Sequence, residues 1–254
     1  MPCLLNIKGP IIEATSYIET IDKYKDDNSI KAIVVRIDSP GGKVGSSQEI
    51  YSALVKLKEK KPVVVSMASI AASGGYYIAC ASDTIIALPG TLTGSIGVIA
   101  EFIDVSEGLQ KLGVKAESIT SGKMKDAGSP FRHMTDKERA YFESMVKDVY
   151  EQFIEVVSAS RKLSMSEIRH LSDGRAFTGR QAYELGLIDM LGGLNDAIDK
   201  AKELSGLKGK VRIIKPEKRF GLIEFMTRLL NGYYPILPQR NSISRQYRLE
   251  YSLY

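Results

Sequence analysis

Ser73 stands in Ala71-Ala72-Ser73-Gly74-Gly75, a run of very small side chains where a strand pattern gives way to a helix pattern. Small neighbours leave a serine hydroxyl accessible. The amide of the next residue, Gly74, then lies beside an attacking oxygen, as an oxyanion hole requires. The same serine would serve equally well as a plain helix cap. A second glycine turn, Ser39-Pro40-Gly41-Gly42, follows an apolar run. Glycine accepts positive φ and close backbone approach. This turn can therefore aim an N–H at a developing oxyanion, or simply join a strand to a helix.

A serine nucleophile needs a base. The chain has two histidines, His133 and His170. His170 lies in a charged helical stretch with Glu167 and Arg169, the setting of a solvated side chain. His133 follows Arg132 in a turn-like segment with no obvious carboxylate in the nearby sequence to orient it. No metal-ligand cluster, Walker loop or dinucleotide fingerprint occurs, so neither a metal nor a cofactor is expected. Lysine remains, and it serves as a base only when burial favours its neutral form. Lowering it by three units from about 10.4 corresponds to about 4 kcal/mol. Ser121-Gly122-Lys123-Met124-Lys125-Asp126-Ala127-Gly128-Ser129-Pro130 offers two lysines, Lys123 and Lys125, and either could also be an ordinary solvated residue.

The elements that must position these groups are legible from periodicity. Leu4–Ile7, Ala32–Ile37, Pro62–Met67 and Thr84–Ala87 read as strands, and Gly97–Ile103 as another. Helical spacing covers Thr15–Tyr24, Gln48–Lys60 and Tyr76–Ala81. Continuous apolar strands alternating with helices predict a mostly parallel sheet covered by helices. The second half reads as helical: Asp136–Arg161, Ser164–Leu171, Gly179–Leu185 and Leu194–Leu204. Tyr141, Met145, Val149, Phe153 and Val156 form the apolar stripe of the long helix, which starts at Thr135 or Asp136. Val211–Ile214 reads as a last strand.

Composition narrows the class. The chain has 254 residues, 44% hydrophobic and 26% charged, which excludes a wholly disordered or collagen-like chain. Two cysteines, Cys3 and Cys80, are too few for a disulfide framework or a cysteine zinc site. Uninterrupted apolar runs such as Ile33–Val35 fall far short of the roughly 20 residues of a membrane span. Net charge divides the chain: residues 1–207 carry −2 and residues 208–254 carry +7. The near-neutral body argues against nucleic acid. The basic end, next to Phe220–Met226, suits an anionic membrane surface or a subunit contact.

Five stretches together resemble the signal peptide peptidase A family, in its short single-domain bacterial form. They are Ile37–Gly42, Ser66–Ala79, Leu92–Val98, Ser121–Pro130 and Asp173–Ala182, in the family's order over about Ile30 to Leu194. The resemblance implies an α/β Clp-protease/crotonase-like fold of repeated ββα units with a helical C-terminal half. It implies a peptidase domain over residues 1–206 and a basic extension over 207–254. It maps the nucleophile to Ser73, the general base to Lys125 rather than Lys123, the serine that positions the lysine to Ser95, and the oxyanion donors to Gly42 and Gly74. It implies peptide substrates such as signal-peptide remnants, a homo-oligomer and a membrane-associated, extracytoplasmic location. Family members usually carry an N-terminal anchor, whereas Met1-Pro2-Cys3 leads straight into the first strand.

Other readings share parts of this pattern: a Ser/Lys peptidase acting on stomatin-like membrane proteins, a crotonase-fold acyl-CoA hydratase or isomerase, and an inert scaffold. A lysine 52 residues after the serine favours a peptidase over the hydratase, which would show an acidic base. Finally, Tyr247, Leu249, Tyr251 and Leu253 alternate, so they would share one face of an extended strand. Such a chain end is expected to dock along a peptide groove as a self-substrate or plug.

Overall fold

A computed structural model describes residues 1–208 and the backbone of 249–251; the expected strand Val211–Ile214 lies outside the described residues. The chain begins with strand β1 (Pro2–Lys8), helix α1 (Thr15–Asp26), strands β2 (Ala32–Ser39) and β3 (Gly42–Lys43), and helix α2 (Val44–Lys58). Strand β4 (Val63–Ala72), helix α3 (Gly74–Ala79) and strands β5 (Thr84–Ala87), β6 (Leu92–Gly94) and β7 (Ile99–Ala100) follow. Helices α4 (Ser106–Lys111), α5 (Asp136–Arg161) and α6 (Met165–Leu171) lead to β8 (Ala176–Thr178), α7 (Gly179–Glu184), β9 (Met190–Leu191) and α8 (Leu194–Leu204). Strand β10 (Leu249–Tyr251) comes last.

The main sheet runs β1-β2-β4-β5-β9, all parallel, as the continuous apolar strands require. Alternate residues divide its two faces. Leu5, Ile7, Ile33, Val35, Ile37, Val63, Val65 and Met67 join the large core under α1, α2, α3 and α5. Leu4, Ala32, Val34, Val64 and Ile86 face Ala197, Ile198 and Ala201 of α8. Burying one such aliphatic side chain contributes about 1.5–3 kcal/mol, so the two faces together explain why the central strands carry almost no polar residue.

Strand β4 is longer than its neighbours and serves two partners. Its first half pairs with β5 and its last three residues with β6. The register against β2 shifts between Ile37 and Ser39, so that Ser39 still pairs with Ala71 while β4 carries two extra residues in the interval. Strand β8 pairs antiparallel with β6. The second half is thus helical with two short strands, β8 and β9, added to the sheet. These strands are too short for a period-two pattern.

Two expectations change. The stretch Gly97–Ile103 forms only the two-residue β7. In α5, Tyr141 and Met145 are exposed, and Phe142 is buried in their place, while Phe153, Ile154 and Val157 are buried as a stripe. The helix starts at Thr135 by a capping box: the Glu138 amide donates to Thr135 Oγ1 at 3.3 Å and the Thr135 amide to Glu138 Oε2 at 2.9 Å. No helix among the described residues is long and apolar enough to cross a membrane.

Candidate active site

Ser73 occupies the single-residue junction between β4 and α3, with φ 53° and ψ −118°. That region is normally left to glycine and costs about 1–3 kcal/mol for other residues. The conformation is held from both sides: the Ser73 amide donates to the Gly94 carbonyl at 2.8 Å, and the Tyr77 amide donates to the Ser73 carbonyl at 2.9 Å. Helix α3 is itself pinned, because the Tyr76 hydroxyl donates to the Leu187 carbonyl at 2.8 Å and the Tyr77 ring lies 5.2 Å from that of Phe153. Ser73 is fully buried, and its Oγ has no hydrogen-bond partner among the described residues. A buried hydroxyl left unpaired costs about 1–3 kcal/mol. Strain and an unsatisfied hydroxyl at one residue both cost stability.

The two glycine turns meet. A Cβ on Gly75 would stand 3.0 Å from the Ser39 carbonyl oxygen, so the Ser39–Gly42 turn packs directly on the start of α3. A Cβ on Gly42 would lie 2.2 Å from the Ile11 carbonyl oxygen, and only glycine fits there. The Lys43 amide donates to that carbonyl at 2.8 Å and the Ile11 amide to Gly41 O at 2.8 Å, which fixes the turn. Gly42 and Gly74 are therefore carried by two abutting turns, with Ser73 on one of them.

Ser95 is also brought close through the backbone. It follows Gly94, whose carbonyl receives the Ser73 amide, and it too has positive φ, 48°. Its amide donates to Arg175 O at 2.9 Å. It is buried at the edge of a 280 Å³ cavity that also meets Tyr150, Ser172 and Asp173.

Lys125 is not brought to Ser73 within the single chain. Both Lys123 and Lys125 are exposed. In the single chain neither has the burial that a neutral lysine requires. Their segment is nonetheless anchored. Arg132 donates to Asp126 Oδ1 and Oδ2 at 3.0 and 3.1 Å and to Glu138 at 2.5 and 2.9 Å. The Arg132 guanidinium holds the buried Glu138 carboxyl down at about 2, and it lowers that of Asp126 as well. The same two carboxylates raise Arg132. This clamp ties the lysine loop to the start of α5. Sequence reasoning missed it, although the Thr135/Glu138 capping box was a visible marker.

His133 has a partner that the local sequence did not reveal. Its Nδ1 lies 2.6 Å from Asp104 Oδ2, across 29 residues. Asp104 is held at about 2, mainly by hydrogen bonds from the Ser106 side chain and amide and further by His133. The imidazole is exposed while Ser73 Oγ is buried and unpartnered, so the pair forms no triad with it. His170 is exposed on α6, as expected. No cluster of three potential metal ligands occurs among the described residues. Beside β7 a 730 Å³ cavity opens, with Val98, Ile99, Phe102, Phe142 and Val146 in its wall.

This geometry agrees with what the chain is similar to. Residues 55–208 match the model of peptidase family S49, and residues 12–93 match that of Clp protease. A Synechocystis protein provisionally named a protease is 45% identical over 185 residues, 73% of this chain and 67% of its own length. Protease 4 of Haemophilus influenzae is 34% identical over 79% of this chain, and the chloroplastic serine protease SPPA of Arabidopsis thaliana is 36% identical over 83%. The chain spans about one third of the length of these last two relatives. The fold is Clp-protease/crotonase-like, and the class is that of a serine peptidase. The chain belongs to peptidase family S49.

Proposed function

We propose that this chain is an endopeptidase that cuts extended apolar peptides, signal-peptide remnants among them, through an acyl-enzyme on Ser73. The Lys125 of a second copy acts as base. Ser73 Oγ attacks the scissile carbonyl and passes its proton to the lysine amine. The Gly42 and Gly74 amides stabilise the oxyanion, and Ser95 positions the lysine. The proton then goes to the leaving amine, and water releases the acyl group.

The observation that carries this reading is the contrast between the two partners. Ser73 is buried, strained and unpaired. Lys125 is exposed, and in the segment before it Leu112 is 78% and Ile119 98% exposed. Such exposed apolar residues are covered by packing against another subunit, and heterologous contacts form a ring when the rotation closes. The burial that a neutral lysine needs then arises on assembly. The wide apolar cavity beside β7 supports a preference for large apolar side chains. The +7 charge of residues 208–254, the extension to the peptidase domain, suits an anionic membrane surface.

Subunit mixing tests the reading. Ser73→Ala and Lys125→Ala proteins are each inactive on an apolar peptide. Mixed and allowed to exchange subunits, they regain a fraction of wild-type activity, because some interfaces join an intact Ser73 to an intact Lys125. A mixture as dead as its parents, with subunit exchange demonstrated, overturns the shared site.

A further inference from the structure

Between α4 and α5, residues 112–135 form neither helix nor strand. Lys125 lies in this stretch, so no ladder of backbone bonds fixes its place. The segment is wound instead into successive tight turns. The Lys125 amide donates to Gly122 O at 3.0 Å, the Ala127 amide to Met124 O at 3.3 Å and the Ser129 amide to Asp126 O at 3.0 Å. Such turns shape the segment, but they do not set where it stands relative to the body of the protein.

That placement comes from Arg132. Its guanidinium grips Asp126, the residue after Lys125, by main chain and side chain together. Nη2 donates to the Asp126 carbonyl at 3.1 Å and to Oδ1 at 3.0 Å, and Nε donates to Oδ2 at 3.1 Å. The other edge of the guanidinium serves Glu138, with Nη1 donating to Oε2 at 2.9 Å and Nη2 to Oε1 at 2.5 Å. Glu138 is buried in the first turn of α5, and α5 is seated on the core by Phe153, Ile154 and Val157. A planar fork with donors on two edges can hold two carboxylates at once, and a lysine ammonium cannot reproduce it. The foot of the same stretch is closed separately: the Val105 amide donates to Pro130 O at 2.8 Å, and His133 Nδ1 lies 2.6 Å from Asp104 Oδ2. This second tie leaves the turns around Lys125 to Arg132.

We propose that Arg132 is a positioning residue for the general base: by bridging Asp126 to Glu138 it sets the place from which Lys125 enters the active site of a second copy. The proposal rests on the Ser73/Lys125 peptidase reading. A base works only within hydrogen-bond reach of the proton it takes, and a displacement of about 1 Å can cost about 100-fold in rate. The line of support runs from the core through α5, Glu138, Arg132 and Asp126 to Lys125. The same α5 packs against α3, the helix that Ser73 opens, since the Phe153 ring lies 5.2 Å from that of Tyr77. One helix therefore steadies the nucleophile of its own copy and the base offered to the next.

The test uses Asp126→Ala, Arg132→Ala and Arg132→Lys, with Arg169→Ala as the control. Arg169 donates to both oxygens of Glu151, at 2.8 and 2.5 Å, and so makes an arginine–carboxylate pair away from the lysine turns. Asp126→Ala is the deciding variant, because it frees the lysine turns while the Arg132–Glu138 pair stays in place. Rates on a short apolar fluorogenic peptide, fluorophosphonate labelling of Ser73 and oligomeric mass are measured for each. The first three variants are expected to lose about 100-fold in kcat with KM little changed, and Arg169→Ala to match the wild type. In a Lys125→Ala background, adding Asp126→Ala is expected to leave the residual labelling rate where it was, because no base remains to be misplaced. Asp126→Ala with wild-type kcat, beside an inactive Lys125→Ala, overturns the positioning role and leaves the peptidase reading standing. A further fall in labelling in the double variant, an equal loss in Arg169→Ala, or a loss that accompanies a changed oligomeric mass assigns the effect to folding or assembly and also overturns it. Wild-type activity in Lys125→Ala overturns the base reading, and this proposal with it.

Discussion

The amide of Ser73 donates to the carbonyl of Gly94 at 2.8 Å. This one bond ties the end of β4 to the end of β6 and joins the two serines with positive φ, since Ser95 follows Gly94 directly. β6 is in turn held by β8, with Gly94 opposite Ala176. The geometry of Ser73 therefore depends on residues about a hundred positions later in the chain. Strained residues persist where their surroundings over-determine them, and here the surroundings are β6, β8 and the buried helix α3.

Ser73→Gly separates stability from activity. Glycine takes φ 53° without penalty and removes the unpaired hydroxyl, so unfolding by urea is expected to need about 1 kcal/mol more than in the wild type. Peptide cleavage falls by several orders of magnitude, because the covalent step is gone. A protein less stable than the wild type would show that Ser73 is not strained.

Lys125→Ala is expected to be as inactive as Ser73→Ala, whereas Lys123→Ala retains most activity. Both side chains are exposed in the single chain, so neither change lowers its stability by more than about 0.5 kcal/mol. Parallel measurement of kcat and thermal midpoint for the two variants checks this. The reverse pattern of activity would move the dyad to Lys123.

Gly42→Ala places a methyl group where the Ile11 carbonyl oxygen stands, 2.2 Å away. The β1–α1 loop must retreat, at a cost of about 2–3 kcal/mol. The loop and the Gly41–Gly42 turn are one hydrogen-bonded unit, so on the proposed reading cleavage is expected to drop together with stability. Denaturant unfolding and kcat/KM measured on the same preparation test the coupling; a stable variant with normal kcat/KM contradicts it.

Glu138→Gln probes the clamp on the lysine loop in acid. The Glu138 carboxyl sits at about 2, below the usual 4.5, chiefly because Arg132 donates to it. A depressed carboxyl stabilises the fold fully above its unfolded value and loses that contribution as pH falls from about 4.5 toward 2. The wild type should thus lose stability across this window more steeply than Glu138→Gln. At pH 7 the variant is less stable by about 2 kcal/mol. Urea midpoints between pH 7 and 3 give the comparison, and parallel curves would remove Glu138 from the linkage.

The sequence alone determined the parallel sheet, because its strands are continuous apolar runs and its helices carry clear periodicity. Small residues around Ser73 and the glycines at 41 and 42 were equally legible, since a close backbone approach demands residues of that size. Periodicity placed the start of α5 correctly but misjudged which residues of its first turns are buried. Tyr141 and Phe142 are neighbours of similar hydrophobicity, and only packing against the β7 loop selects Phe142, whose ring lies 4.4 Å from that of Phe102. Tertiary structure alone decided the rest. It set the left-handed turn at Ser73, which depends on a bond to Gly94. It paired Asp104 with His133 and gathered Asp126, Arg132 and Glu138. It also left Lys125 exposed and set Leu249–Tyr251 between β3 and β7. Each of these relations joins segments that are far apart in the chain or different in kind, and local pattern reports only which face of an element is apolar, not which distant element meets it.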